Sequence, residues 1–421
     1  MGAAVLKNAN AMPAPTWHRL DMNYVDIEIA DGLAAVSQVS VEAPAELLGA
    51  ADAFDAAVAA AQTKIDAARA GAADPRAILK AAEDDADPAN LDIPALSTYE
   101  RRAVREEVAS DIAAAFECGM GAAADEWFAA QAAEAGAERV GLAAAAGQAG
   151  SACGRVAGID GTANTARVDV VAAAGATLDL TVSLDSPAAG AGVAGVQLRV
   201  FAGEGAHVNI TSVHTLDEGY VALDDTGIVA AEAARVTVRH RMLGAGKSYT
   251  GLACDLREDT ARVDISTRYL AGGDDVRDFN YVVRHRGRKT LCNIDATGSL
   301  MGRSKKTYRG TIDLVHGCKG SEGTERETVL LVDEDVENKT IPVILCDEDD
   351  VAGNHGATIG HVAPEQMFYL QCRGLSQQAA EGLFATATLE ETAIAIPDAA
   401  IRAGIARLAA KTGIPYQEVE D

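Results

Sequence analysis

One histidine, in Gly353-Asn354-His355-Gly356-Ala357-Thr358-Ile359-Gly360, stands among glycines that leave its imidazole free of bulky neighbours. A neutral imidazole is a competent ligand for iron or zinc and can replace a thiolate on a cluster. The plainer role for His355 is to cap the last strand of an array, bonded to a backbone carbonyl. The other soft donors are seven cysteines, at 118, 153, 254, 292, 318, 346 and 372. Their odd number and wide spacing argue against a secreted disulfide framework, and without a CxxC pair there is no local zinc-ribbon or four-thiolate site. Cys292, Cys318, Cys346 and Cys372 are 26, 28 and 26 residues apart. If strands repeat at that interval, the first three are expected near one another on adjacent coils; otherwise each packs as a small apolar side chain. Cys346, in the strand leading to His355, is the cysteine to test.

Other polar runs carry less. Asp347-Glu348-Asp349-Asp350 offers four carboxylates, but consecutive residues of an extended segment point to opposite faces, whereas a hard cation needs convergent oxygens. Arg284-His285-Arg286 suggests an anion site and is assigned no role. No GxxxxGK[ST] loop is present to cradle phosphate, so no nucleotide is expected on this chain. No Ser-His-Asp or Cys-His arrangement stands out.

The elements that must position His355 fall into three textures. From Glu46 to Gln148 the chain is dominated by alanine, which favours helix because no side-chain entropy is lost there. Helices are expected over Glu46–Arg69, Tyr99–Cys118 and Ala122–Ala146, giving a largely helical N-terminal region over 1–150. Around Ser151 glycine rises and β-branched residues alternate with polar ones. A pattern of small, any, apolar, any, apolar then recurs. It reads Ala176-Thr177-Leu178-Asp179-Leu180, Ala206-His207-Val208-Asn209-Ile210, Ala234-Arg235-Val236-Thr237-Val238 and Ala261-Arg262-Val263-Asp264-Ile265, with a weaker copy at Thr290-Leu291-Cys292-Asn293-Ile294. Leu178, Val208, Val236, Val263 and Cys292 are thus 30, 28, 27 and 29 residues apart. Such an interval predicts a coiled β-solenoid over 151–362, because one rung cannot bury its inner face alone. A sandwich of evenly spaced hairpins is the alternative, but hairpin-turn dipeptides are scarce here. From Pro364 helical spacing returns in a C-terminal domain over 363–421, with further helices from Ser376 to Glu391 and Pro397 to Lys411.

Four segments, in order along the chain, resemble the SufB/SufD family of iron–sulfur cluster scaffolds, and its SufD members most. They are Pro15-Thr16-Trp17-His18-Arg19-Leu20-Asp21-Met22-Asn23, Phe279-Asn280-Tyr281-Val282-Val283-Arg284-His285-Arg286-Gly287, Tyr308-Arg309-Gly310-Thr311-Ile312-Asp313, and Asp349 to Gly360 with Pro364-Glu365-Gln366-Met367-Phe368-Tyr369-Leu370. The resemblance implies a mainly β protein, a right-handed parallel β-helix with helical flanks. It implies a scaffold without catalytic motifs of its own, pairing with a SufB-like subunit through its last rungs. Helices beginning at Glu365, Gln366, Met367, Phe368 and Tyr369 would dock a SufC-type ATPase. By resemblance His355 is a candidate ligand for iron, or for a transient iron–sulfur cluster at the partner interface, and Cys346 a weaker one. Two departures matter. Many SufD-like motifs carry cysteine two residues before the histidine, where this chain has Gly353. The stretch Asp333 to Pro342, corresponding to the cluster-building cysteine of SufB, has none. A thiolate is the nucleophile that accepts sulfide, so SufD-like is the expected type rather than SufB-like.

Charge narrows the partners. With 62 acidic and 36 basic side chains the formal charge is −26, opposite in sign to what a nucleic-acid duplex attracts. No apolar run is long enough to span a bilayer, and Asn8, Asn10, Pro13 and Pro15 interrupt any leader, so a cytoplasmic protein is expected. Homodimerisation of the isolated chain through the edge meant for its partner is a further expectation. Two alternatives stand beside this reading: a self-pairing SufB-like scaffold acting with the ATPase alone, and a β-helix enzyme acting on polysaccharides.

Overall fold

A computed structural model describes residues 4–14, 22–49, 53–71, 118–396 and 398–412. Five strands open the chain: β1 (Ala4–Ala9), β2 (Val25–Ile29), β3 (Ala34–Val36), β4 (Val39–Glu42) and β5 (Leu48–Gly49). Helices α1 (Ala53–Gly71) and α2 (Ala122–Ala135) follow. Sixteen strands then wind into eight coils, each giving one strand to each of two facing sheets. The first sheet takes β6 (Val140–Ala144), β8 (Thr162–Ala172), β10 (Gly192–Ala202), β12 (Tyr220–Ala230), β14 (Lys247–Leu256), β16 (Val276–His285), β18 (Lys305–Leu314) and β20 (Glu337–Cys346). The second takes β7 (Ala149–Ala157), β9 (Thr177–Asp185), β11 (His207–Thr215), β13 (Arg235–Met242), β15 (Arg262–Ala271), β17 (Leu291–Leu300), β19 (Glu322–Leu331) and β21 (Ala352–Gly360). Three helices end the described chain: α3 (Pro364–Cys372), α4 (Gln377–Ala395) and α5 (Ala399–Thr412). The protein is a parallel β-solenoid with helical flanks, as expected.

The recurring pattern maps onto the coils residue for residue. Leu178, Val208, Val236, Val263 and Cys292 are successive register partners in the second sheet, and all are buried. Alternation sends every second side chain inward, so each column buries one apolar group per coil, worth about 1.5–3 kcal/mol for a Val or Leu. The small residue of the pattern turns the corner. Ala176, Ala206, Ala234, Ala261 and Thr290 are fully buried there. Each follows a residue of left-handed backbone: Gly175, Gly205, Ala233, Thr260 and Lys289. The N–H of each of those five donates to a carbonyl of the next coil, as Thr260 does to Arg288 at 2.8 Å. Corner geometry, more than strand propensity, therefore sets the repeat.

The N-terminal region differs from the expected helical one. Its five strands include β4 and β5, which pair antiparallel with β7 and β6 and close the first coil. The solenoid thus begins at Val140, and the chain around Glu46 is a turn and a short strand before α1. Alanine richness concealed these strands because alanine suits a crowded strand pairing as well as a helix. The segment expected as Ala122–Ala146 stops at Ala135, where Gly136 takes a left-handed conformation; Tyr99–Cys118 lies outside the described residues except Cys118. Trp127 and Phe128 of α2 pack with Ala163, Val193, Leu223 and Tyr249 on the outer face of the first sheet. Gly119 and Gly251 allow the closest approach: a Cβ on Gly251 would lie 2.3 Å from the Met120 nitrogen.

At the other end Ser376 caps α4 by accepting the Ala379 N–H, and Asp398 accepts those of Ala400 and Ile401 before α5. Leu389, Ile401 and Ile405 fold back on Val213, Leu243 and Leu270 of the solenoid. No described helix is long and apolar enough to cross a membrane.

Candidate functional site

The two ends of the solenoid are unequal. The first coil is covered by β4 and β5, whereas β20 and β21 are terminal in their sheets. No ninth coil follows among the described residues, and β21 is exposed along its length except Gly360, which is half-buried. Its edge chemistry follows from parallel pairing, in which alternate residues turn N–H and C=O toward the same neighbour. Ala352 donates to Ser321, on the β19 side. Gly353, His355, Ala357 and Ile359 therefore direct their backbone groups to the free edge. On β20, Glu337 and Asp347 donate to Ser304 and Leu314 on the β18 side, so the even-numbered residues face outward. Pro342 is one of them and has no N–H. The β20 edge is broken at its middle, as protected edges are, and the β21 edge is continuous.

His355 lies on β21 in the inward column Leu180, Ile210, Val238, Ile265, Ile294, Glu325, His355. The first five are buried and apolar; then the column turns acidic and ends in imidazole at the open mouth. His355 is exposed only because its coil is the last. A side chain at Gly353 would also point inward, its Cβ 3.0 Å from Ile344 Cγ2.

One coil below the mouth the interior is polar, which the sequence reasoning missed. Glu325 is 3 % exposed, and burial, reinforced by neighbouring Glu327, pushes its carboxyl up to about 8. Its Oε2 has no hydrogen-bond partner, and neither has the buried Tyr308 hydroxyl. Gly310 makes room for this carboxyl, since a Cβ there would lie 2.5 Å from Glu325 Cδ. Glu327 is committed to Lys306, whose Nζ also donates to Thr340 Oγ1 at 3.0 Å. The available signal was the repeat itself: Glu325 follows Ile294 at the next coil interval.

The family-like segments acquire physical reasons here. Phe279, Tyr281, His285 and Tyr308 point inward and are buried, and Tyr281 bonds His240 Nδ1 at 2.8 Å. Outward-facing Asn280 donates to the Gly119 carbonyl, and Arg309 to the Met22 carbonyl and to Asp278, binding the N-terminal segment to the first sheet. Of the first segment, residues 15–21 lie outside the described residues.

The cysteines are not brought together, so the coils do not repeat at the cysteine interval. Cys292 stacks beneath Gly323 and Gly353, Cys346 stacks on Leu314, and Cys318 occupies a corner. The coils here advance 31 residues between β17 and β19 and 32 between β18 and β20, so spacings of 26 and 28 slip out of register. Cys292 and Cys318 are buried, and burial raises the Cys292 thiol far above its ordinary value. Cys346 is exposed, and its thiol donates to the Glu348 carbonyl at 3.3 Å.

The other polar groups that the sequence singles out have partners within the chain. In the acidic run, Glu348 accepts the N–H groups of Gly317 and Asp349. Arg284 and Arg286 pair with Asp313 and Asp255 on the outer face, while His285 between them is buried and bonds Thr290 Oγ1 at 2.7 Å. Ser212, His214 and Asp224 form a triad-like group, but all three are buried in the core without access for a substrate. Cys118, Asp125 and Asp225 are the one trio of potential ligands found close together among the described residues. Gln197 donates to both carboxylates and Met120 N–H to Asp225, so this trio is a buried tie between the N-terminal segment and the first sheet.

Helix α3, carrying Glu365, Gln366, Met367, Phe368 and Tyr369, has no buried residue; Phe368 is 67 % and Tyr369 55 % exposed.

Comparison with known proteins places these features in a family. Residues 155–388, more than half of the chain, match the family model described as SUF system FeS cluster assembly, SufBD core domain. The chain is 24 % identical over 186 residues to an iron–sulfur cluster assembly protein SufD of Bacillus subtilis, covering 44 % of this chain and 43 % of that protein. It is 23 % identical over 198 residues to SufD of Escherichia coli, covering 47 % of this chain and 46 % of that protein. An iron–sulfur cluster assembly SufBD family protein of Mycobacterium tuberculosis is 30 % identical over 137 residues, covering 32 % of this chain and 16 % of that protein. Each match thus spans less than half of the relative's own length.

Proposed function

The chain belongs to the SufB/SufD family of iron–sulfur cluster assembly proteins and is most like SufD, and from that premise we propose that it is a SufD-like scaffold subunit. It pairs through β21 with a SufB-like subunit and docks a SufC-type ATPase through α3. The observation that carries this reading is the asymmetry of the solenoid among the described residues: closed by β4 and β5 at its start, open at its end, with His355 on a continuous edge strand there. A free edge offers a row of unpaired donors and acceptors, the requirement for strand addition.

In this arrangement the partner supplies thiolates, since the β20 stretch before Pro342 has no cysteine. His355 offers an imidazole from this side to a transient cluster, which is cargo and not a resident group. Cys346, at the end of β20, is a secondary donor. Nucleotide stays on the ATPase, and the exposed Phe368 and Tyr369 supply apolar contact area for docking it. A homodimer through the same β21 edge follows for the isolated chain. A cytoplasmic place suits this role. Family membership takes the place of the polysaccharide-active alternative.

The test is anaerobic reconstitution with iron and sulfide, for the chain alone and co-expressed with SufB-like and SufC-type partners. A cluster chromophore that forms only in the complex and weakens in His355→Ala supports the reading. A complex that loads normally with His355→Ala makes His355 a cap and this subunit architectural. Failure of the chain to associate with either partner refutes the scaffold role.

A further inference from the structure

The inward column that ends in His355 contains an acid where five previous coils have apolar side chains. A carboxyl in such a column replaces favourable burial with a desolvation cost. Two further features keep Glu325 there. Gly310 lacks the side chain that would occupy the carboxyl's place, whereas the equivalent positions of the two preceding coils hold Tyr281 and Leu252. Lys306 is spent on Glu327 and Thr340. Glu325 therefore feels Lys306 only through its charge, and its Oε2 is unpartnered although the residue is 3 % exposed.

Its register partner on the next coil is His355. Paired strands lie about 4.8 Å apart, and both side chains belong to the inward set, so imidazole nitrogen and carboxylate oxygen can meet on one ion at the mouth. We propose that Glu325 and His355 form a binding site for a single divalent cation of the ferrous type, held by nitrogen and oxygen before any sulfide is present. That donor pair selects a borderline metal: imidazole suits iron and zinc, and carboxylate favours the harder divalent ions. No thiolate takes part. Cys292 is two positions off the column and buried, and Cys346, at the corner end of β20, donates its thiol to the Glu348 carbonyl. The buried Tyr308 hydroxyl is likewise unpartnered. The inference rests on the scaffold reading only for what the iron is used for.

The experiment uses the full chain alone, anaerobically and without sulfide, titrated with ferrous iron by calorimetry and with manganese(II) by electron paramagnetic resonance. Wild type is expected to take up one equivalent. Glu325→Gln, which keeps the shape and hydrogen-bonding capacity of the neutral acid, and His355→Ala are each expected to weaken binding at least ten-fold. Iron-edge X-ray absorption of the wild type is expected to show nitrogen and oxygen neighbours only. Undiminished binding by Glu325→Gln overturns the proposal, as does sulfur in the first shell or the absence of stoichiometric uptake. The absorption spectrum decides the matter even where a variant fails to fold. Co-purification with the SufB-like and SufC-type partners separates the two readings. A chain that assembles but takes up no iron refutes this site alone; one that binds iron and never assembles refutes the scaffold role alone.

Discussion

Replacing Ala357 with proline separates edge pairing from folding. Ala357 turns its N–H to the free edge of β21, so in the isolated chain the ring removes no hydrogen bond to β19. The residue before it, Gly356, lacks the Cβ through which proline restricts its predecessor. The side chain is exposed, and the cost to the lone chain is that of moving φ from about −120° toward −65°, below about 1 kcal/mol after the gain from a stiffer unfolded chain. Across the proposed interface the same ring deletes a donor at the centre of the strand. One bond, worth about 0.5–1.5 kcal/mol, is lost, and a partner carbonyl is left unsatisfied at about 1–3 kcal/mol. A loss of about 2–4 kcal/mol corresponds to roughly 30- to 1,000-fold weaker association. Thr358→Pro is the control, because that N–H faces β19 and its loss removes a ladder hydrogen bond and lowers folding stability. Association with the SufB-like subunit, followed by sedimentation velocity beside a thermal melt, reads both quantities. Wild-type affinity for Ala357→Pro would refute pairing through β21, and a collapse of its melting temperature would refute the assigned direction of the edge.

Gly310→Ala should displace the Glu325 carboxyl and lower stability by about 1–3 kcal/mol, measured by urea denaturation; combined with Glu325→Ala the penalty should shrink. Thr260 is an exposed β-branched residue at φ 58°, so Thr260→Gly should stabilise by about 0.5–1 kcal/mol, the left-handed strain relieved less the entropy glycine loses; a drop in melting temperature would contradict the corner argument. Asp225 is fully buried, and burial, with Asp125 nearby, raises its carboxyl to about 8. An acid whose folded value lies above its unfolded one near 4 stabilises fully below about pH 4 and less as pH rises toward 8. Stability should therefore fall by about 2–3 kcal/mol between pH 6 and 9, and Asp225→Asn should flatten that slope in denaturation series at fixed ionic strength.

The family-like segments around Phe279, Tyr308 and His355 were legible because they carry their spacing locally. The coil interval was legible for a physical reason: at five successive corners from the first sheet to the second a small buried residue follows a left-handed one, so Ala176, Ala206, Ala234, Ala261 and Thr290 mark it in the sequence. Side-chain alternation then identified the inward column from Leu178 to Cys292. What lies beside what on successive coils could not be read from spacing, because corner loops change length. Register advances 26 residues between β12 and β14 but 32 between β18 and β20. That variation separates Cys292, Cys318 and Cys346, which a constant interval would have brought near one another, and pairs Glu325 with His355 in register, which no motif suggested. The tertiary structure alone also decided which edge is open, since only the hydrogen-bonding direction of β20 reveals that the missing N–H of Pro342 faces outward. Composition concealed β4 and β5 in an alanine-rich stretch, and pairing with the first coil makes them strands. The sequence determined which residues repeat and which could bind; the register of the coils decided which of them meet.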